Sequence, residues 1–180
     1  TSAVAAKIAV NKYCGKLTVH LVNCDTGSED DDNFRFMRDV GEWLGLKTEI
    51  IRNEKYENTL DVYEKTRYIV GTAGARCTLE LKKLPRRQYE NLATDLQVFG
   101  YDADEKDRAA RFVENNPEVR VLFPLIEEGI NKSMARQILV KAGIREPLTY
   151  GLGFNNANCL KTGCVKGGMG YWNHYRRVFP

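Results

Sequence analysis

Along the first third of the chain, apolar residues recur at two alternating periods. Ala3 to Tyr13 is dense in Ala, Val and Ile and predicts a buried helix, stopped by Gly15. Leu17 to Asn23 places apolar residues at Leu17, Val19, Leu21 and Val22 and predicts a strand. It runs into a polar turn, Cys24-Asp25-Thr26-Gly27. Asn33 to Leu44 carries Phe34, Met37, Val40 and Leu44 on one stripe, the pattern of a helix with one face in the core. The acids between Ser28 and Asp32 lie where the helix dipole favours them, and Gly45 closes the element. Lys47 to Arg52 predicts a second strand. This order predicts an α/β domain, a parallel sheet with helices on both faces.

The remainder extends the pattern. Leu96 to Tyr101 predicts a strand, and Asp104 to Asn115 a helix capped by Asp102 or Asp104. Val119 to Phe123 predicts a short strand, and Ser133 to Ala142 a helix ending at Gly143. Neither period persists through Asn53 to Pro85 or Tyr150 to Pro180, so both stretches are expected to be irregular. Long irregular segments in a compact domain usually carry function. There is no internal repeat, low-complexity tract or linker. Residues 1–180 are therefore expected to form a single domain with a Cys/Gly-rich loop at 150–180.

Composition narrows the class. The 180 residues are 43% hydrophobic and 28% charged, an ordinary globular mix. The net charge of +3 is too small to imply nucleic acid by itself. No apolar run approaches a membrane span, and no signal segment opens the chain, so a cytoplasmic protein is expected. Five cysteines, an odd number, in a chain too large to need staples point to a reducing compartment.

Three constellations carry candidate chemistry. Cys159 and Cys164 stand five apart in a Gly/Asn-rich tail, and Cys77 lies in the other irregular stretch. Three thiolates suit zinc with a fourth ligand, or an iron–sulfur cluster with one iron open. Unliganded thiols in packed loops are the equal alternative. Asp25, Thr26 and Gly27 end a strand, at the edge where α/β sheets bind ligands, although a helix cap would use the same residues. Basic residues crowd the cysteine segments: Arg76, Lys82, Lys83, Arg86 and Arg87 around Cys77, then Lys166, Arg176 and Arg177 in the tail. Such groups suit phosphate or sulfate. Gly100 to Glu105 makes another strand-to-helix turn, with Arg108 and Arg111 one turn apart beyond it. His20 and His174 read as structural. The tail Tyr171 to Arg177 interleaves aromatic and basic residues, which fits a packed cluster or a strand-binding surface.

In order along the chain, these segments resemble the phosphoadenosine phosphosulfate (PAPS) reductase family, within the PP-loop adenine nucleotide alpha hydrolase-like superfamily. The resemblance is greatest to members from phage and bacterial genomes. Thr1-Ser2 before a helix is similar to the end of the family's Ser-Gly-Gly phosphate loop, which places the first strand and the glycines upstream of residue 1. Cys24 to Gly27 resembles its Asp-Thr-Gly segment, and Arg76-Cys77-Thr78-Leu-Glu-Leu-Lys82 its Cys-Thr/Ser-x-x-x-Lys segment. Gly100 to Arg108 resembles its Gly-Ile-Arg-x-x-Glu-Ser-x-x-Arg segment. Phe123 to Ile126 resembles its Pro-Leu/Ile-Ile stretch, and Gly153 to Cys164 its Gly-Cys-x-x-Cys loop, here spaced C-x4-C.

The resemblance implies an enzyme that binds ATP or a related adenine nucleotide with Mg. It implies nucleotide contacts from Ser2, Asp25, Thr26, Gly27, Gly100, Glu105 and Arg108. Arg76, Thr78, Lys82 and Arg86 would bind the anionic second substrate, and Cys77, Cys159 and Cys164 a [4Fe-4S] cluster or Zn. The expected chemistry is ATP pyrophosphatase, adenylation or sulfur transfer, with a sulfur donor or a nucleic-acid substrate as partner; no catalytic residue is singled out. The alternative is a non-catalytic nucleotide-binding or nucleic-acid-modification subunit with structural zinc. A homo-oligomer is left open.

Overall fold

The computed structural model describes residues 1–155 and 159–180. Asn156, Ala157 and Asn158, inside the predicted cysteine loop, lie outside the described residues.

In chain order the elements are α1 (Ser2–Tyr13), β1 (Leu21–Cys24), α2 (Asp32–Leu44), β2 (Thr48–Ile51), α3 (Thr59–Thr66), β3 (Val70–Gly71) and β4 (Gly74–Ala75). A continuous helical stretch follows: α4 (Arg76–Thr78), a π-helical segment (Leu79–Lys83) and α5 (Leu84–Tyr89). Then come β5 (Gln97–Val98), a 3-10 turn (Ala103–Glu105), α6 (Lys106–Asn115), β6 (Val121–Leu122), α7 (Pro124–Glu127), α8 (Lys132–Lys141), α9 (Leu148–Gly151) and α10 (Met169–Val178). The protein is a mixed helix and strand structure. Its described sheets are pairs of short strands, β1 with β2, β3 with β4 and β5 with β6. β5 and β6 run parallel, with Gln97 beside Val121. No helix among the described residues is long and apolar enough to cross a membrane.

Two compact units are interleaved along the chain. The first takes Thr1–Leu21, Arg38–Thr48 and Glu90–Glu146, and the second Val22–Met37, Glu49–Tyr89 and Pro147–Pro180. In the first, α1 packs on α7, α8 and β5. Its alanines allow close approach: Ala3, Val4, Ala5, Ala9 and Val10 are all buried, with Leu125, Ala135 and Leu139 among the core residues contributed by α7 and α8. Asp102 caps the turn into α6 through a capping box, accepting from the Asp104 amide at 3.0 Å while Glu105 accepts from the Asp102 amide at 3.2 Å.

The second unit holds Val62, Ala75, Leu81, Phe154 and Leu160 in its core. Both stretches expected to be irregular lie mainly here, and both contain helices. Asn58 starts α3, its side chain accepting from the Leu60 and Asp61 amides at 2.9 and 3.1 Å. From Leu79 to Lys83 the chain adopts the π register, which breaks the 3.6 period by which a helix is read. In α10 no residue is fully buried, and its stripe is aromatic, Tyr171, Trp172 and Tyr175 recurring on one face. It is held instead by rings four apart, with Tyr171 and Tyr175 centroids at 5.9 Å and Tyr175 and Phe179 at 5.0 Å. The strands are shorter than expected: Leu17 is exposed and makes only an isolated bridge with Cys14, and the strand begins at Leu21.

Candidate functional site

The loop after β1 is fixed by its own polar atoms. The Asp25 amide donates to the Ile51 carbonyl at 2.9 Å, and Asp25 Oδ1 accepts from the Gly27 amide at 2.8 Å. Asp25 Oδ2 lies 3.6 Å from Arg52. Gly27 has φ +64°, and a Cβ there would fall 1.9 Å from the Glu57 carbonyl oxygen. Thr26 is buried, its hydroxyl accepting from the Ser28 amide at 3.4 Å. Buried hydroxyls then reach across the unit. Ser28 Oγ lies 3.0 Å from Thr59 Oγ1, which lies 2.9 Å from Thr162 Oγ1. The Lys161 amide donates to the Ser28 carbonyl at 3.1 Å. The tail between Cys159 and Cys164 is thereby tied to the β1 loop and the start of α3.

This tie brings the three predicted cysteines into one electrostatic neighbourhood. Cys77 begins the 76–89 helical stretch, and the Tyr63 hydroxyl on α3 donates to its sulfur at 3.0 Å. Burial, the Cys77 contact and the Cys159 and Cys164 sulfurs together hold the Tyr63 phenol strongly protonated. Cys159 is buried, with φ +55°, a strained backbone for a residue with a Cβ. The π-helical segment supplies Lys82, whose ammonium lies 3.6 Å from buried Glu29 and whose carbonyl receives the Cys24 thiol at 3.5 Å. Burial raises the Glu29 carboxyl above its ordinary value; nearby Asp25 adds to this and Lys82 opposes it. Burial also raises the Cys24 thiol, against Lys82 and Arg86.

Burial pushes the Cys159 thiol up to about 11, with Cys164, Cys77 and Glu29 adding and Lys82 opposing. Its ordinary value is 9.0. Between these values the folded chain keeps a proton that the unfolded chain has released, so stability falls as pH rises through that window and is unaffected below it. Metal-free protein is expected to lose up to about 3 kcal/mol by this route, and the Cys159→Ala variant to lose less. Denaturant unfolding on either side of the window reads the difference.

The other predicted residues sort by unit. In the second, Arg76 is paired with buried Glu80 at 2.7 Å, while Thr78, Lys82 and Arg86 follow Cys77 on the same helical stretch. In the first, Ser2 lies against Gly100, where an added Cβ would come 2.6 Å from the Ser2 nitrogen. Arg108 pairs with Glu105 and lays its guanidinium over the Tyr101 ring at 4.4 Å. Phe99, Tyr101, Phe112 and Phe123 pack around the ends of β5 and β6, with Tyr101 and Phe123 stacked at 5.4 Å. His174 Nε2 lies 2.7 Å from the Leu152 carbonyl oxygen. The tail aromatics pack together, Phe154 meeting His174 at 4.7 Å and Phe179 at 6.1 Å.

The predicted set omits Tyr63, Glu29 and the Ser28–Thr59–Thr162 chain. Glu29 had a visible signal, an acid four residues beyond Asp25 in the same turn. Tyr63 had none, because its partner depends on how α3 meets the Cys77 segment.

Three thiols are the donor set that the metal reading requires. Among the described residues no three His, Cys, Asp or Glu side chains are gathered in ligand geometry. Compared with known proteins, the chain matches no family model and no curated sequence.

Proposed function

We propose that the protein is an adenine-nucleotide-binding enzyme of the PAPS-reductase-like kind, performing ATP pyrophosphatase, adenylation or sulfur-transfer chemistry. In this reading its sheet belongs to the adenine nucleotide alpha hydrolase-like fold. One observation carries the proposal: Cys77, far from Cys159 and Cys164 in sequence, shares one electrostatic neighbourhood with them around Tyr63, and the Tyr63 hydroxyl donates to the Cys77 sulfur. Cys77, Cys159 and Cys164 would hold a [4Fe-4S] cluster or Zn, and the bound group would supply an open iron for sulfur or a structural closure, respectively.

The chain's own groups have distinct tasks. Lys82 and Arg86 offer positive charge to an anionic substrate, with Glu29 holding Lys82 in place. Tyr63 donates to the Cys77 sulfur and orients it. Asp25 and Gly27 present a rigid turn to the nucleoside, while buried Thr26 braces that turn from within. Ser2, Gly100, Glu105 and Arg108 keep the nucleotide assignment that the resemblance implies, with Mg accompanying the phosphates. A second reading, a nucleotide-binding or nucleic-acid-modification subunit with structural zinc, is favoured by the Ser28–Thr59–Thr162 tie, since a tail already fastened suits a closing role.

The test is iron, zinc and acid-labile sulfide content of protein purified without oxygen, together with ATP turnover to AMP and pyrophosphate. Iron with sulfide, lost in Cys77→Ala, Cys159→Ala or Cys164→Ala, is the expected result. Zinc alone without turnover selects the second reading. Neither metal, with no nucleotide bound, removes both.

A further inference from the structure

Beside Cys164, within the second unit, lies a cavity of about 300 Å³. Cys164, Lys166, Gly167, Gly170, Tyr171 and His174 form much of its lining, with Phe154 as an aromatic wall. That volume is at the small end of ligand pockets. Among the described residues no Asp or Glu lines it, and Lys166 brings the one formal positive charge. The Lys166 ammonium has no acidic partner among the described residues. Tyr171 accepts from the Cys164 amide at 3.1 Å, which leaves its own hydroxyl proton to donate. Burial keeps that phenol protonated.

The glycines distinguish packing from vacancy. A Cβ on Gly167 would strike the Tyr171 ring at 2.1 Å, and Gly153, at φ +85°, approaches the His174 ring to 3.1 Å. Both are required by the protein itself. Gly170 is not. It lies in the first turn of α10 without a left-handed φ, and a Cβ there would meet nothing within 4 Å. Gly170 is exposed, and as a lining residue it adds no side chain to the mouth of the cavity.

We infer that this cavity binds a small molecule bearing an oxyanion group, a phosphate or a sulfate. Lys166 and the Tyr171 hydroxyl donate to the oxyanion, and the bare Gly170 face accommodates the rest. The cavity shares Cys164 with the proposed metal set, but neither Lys166 nor Tyr171, the two donors, belongs to the proposed nucleotide, substrate or metal residues.

Isothermal titration with inorganic phosphate, pyrophosphate and sulfate at fixed ionic strength, against chloride, tests it. At least one oxyanion is expected to bind in preference to chloride, and the better of phosphate and sulfate names the source. Lys166→Met should weaken binding about tenfold, the scale of one charge-assisted contact. Gly170→Leu should abolish binding while leaving the unfolding midpoint unchanged or raised. Binding no stronger than chloride, or equal affinity in Lys166→Met and Gly170→Leu, overturns the inference. An ATP titration of the same wild-type protein separates the two readings: oxyanion binding without ATP binding keeps this inference and removes the nucleotide, and the reverse does the opposite.

Discussion

Replacing Gly27 with alanine is expected to cost about 4 kcal/mol of folding stability. Two effects add. At φ +64° any Cβ strains the backbone, and at this position the Cβ would also fall 1.9 Å from the Glu57 carbonyl oxygen. That oxygen has little freedom to move. It receives the Arg52 guanidinium at 2.8 Å, and the next residue, Asn58, caps α3. Two residues further on, the Thr59 amide donates to Ser28 Oγ at 3.0 Å, beside Gly27 itself. Relief of the clash would therefore break the cap, the Arg52 contact or the hydroxyl chain. Gly15 is the control: it has φ +82°, and a Cβ there would meet nothing within 4 Å. Gly15→Ala carries the dihedral penalty alone, about 1 kcal/mol. Urea unfolding of the two variants separates strain from collision. Equal losses would mean that the Glu57 carbonyl yields freely and that the β1 loop is not rigid.

The difference between these two glycines marks how much of the molecule was legible in the sequence. Gly15 follows a helix and could be read as its terminator. Gly27 read as part of a ligand-edge turn, but its close neighbour lies 30 residues on and no local pattern names it. The same division runs through the fold. α1, α2, α6 and α8 were legible to within a residue or two, because each has an apolar face or a cap of its own, as with Asp102 before α6. α3, the π-helical segment and α10 were not. α3 is eight residues long, the π-helical segment has no 3.6 period, and α10 is held by tilted and edge-on ring contacts without a fully buried residue. Strand extent was overread because Leu17 and Val19 alternate as a strand would, while Leu17 stays exposed.

The candidate site divides likewise. The types and positions of the three cysteines and of Lys82 were readable from residues alone. Their partners were not, since Tyr63, Glu29 and Thr162 meet them only through tertiary packing. Arg76, read as a cation for the substrate, also pairs with Glu80, a partner that lies one helical turn on in sequence. Charge counts in a sequence overstate what a site can offer, because a local acid takes its share first.

Leu81→Ala carries the second large effect, about 3 kcal/mol by loss of burial and the cavity left behind. Leu81 is only 1% exposed and sits in the π-helical segment between two residues whose positions matter. Glu80 pairs with Arg76 at 2.7 Å, and its carbonyl accepts from the Asn53 side chain at 3.0 Å. Lys82 pairs with Glu29, and its carbonyl receives the Cys24 thiol. A π turn is less favourable than an α turn, so it persists where surrounding contacts hold it. Removing the Leu81 side chain removes the largest of those anchors within the segment. Relaxation toward the α register would rotate Lys82 away from Glu29 and free the Cys24 thiol. Leu81→Met, which nearly conserves volume, should cost less than about 1.5 kcal/mol and leave the register in place. Two measurements decide the matter: the urea midpoint, and the alkylation rate of Cys24 followed by peptide mass. A lowered midpoint with faster Cys24 alkylation in Leu81→Ala alone ties the core to the placement of Lys82. A lowered midpoint with unchanged Cys24 reactivity below the unfolding transition would show that the π register is held by Glu80 and Lys82 themselves, so that the site positions its own scaffold.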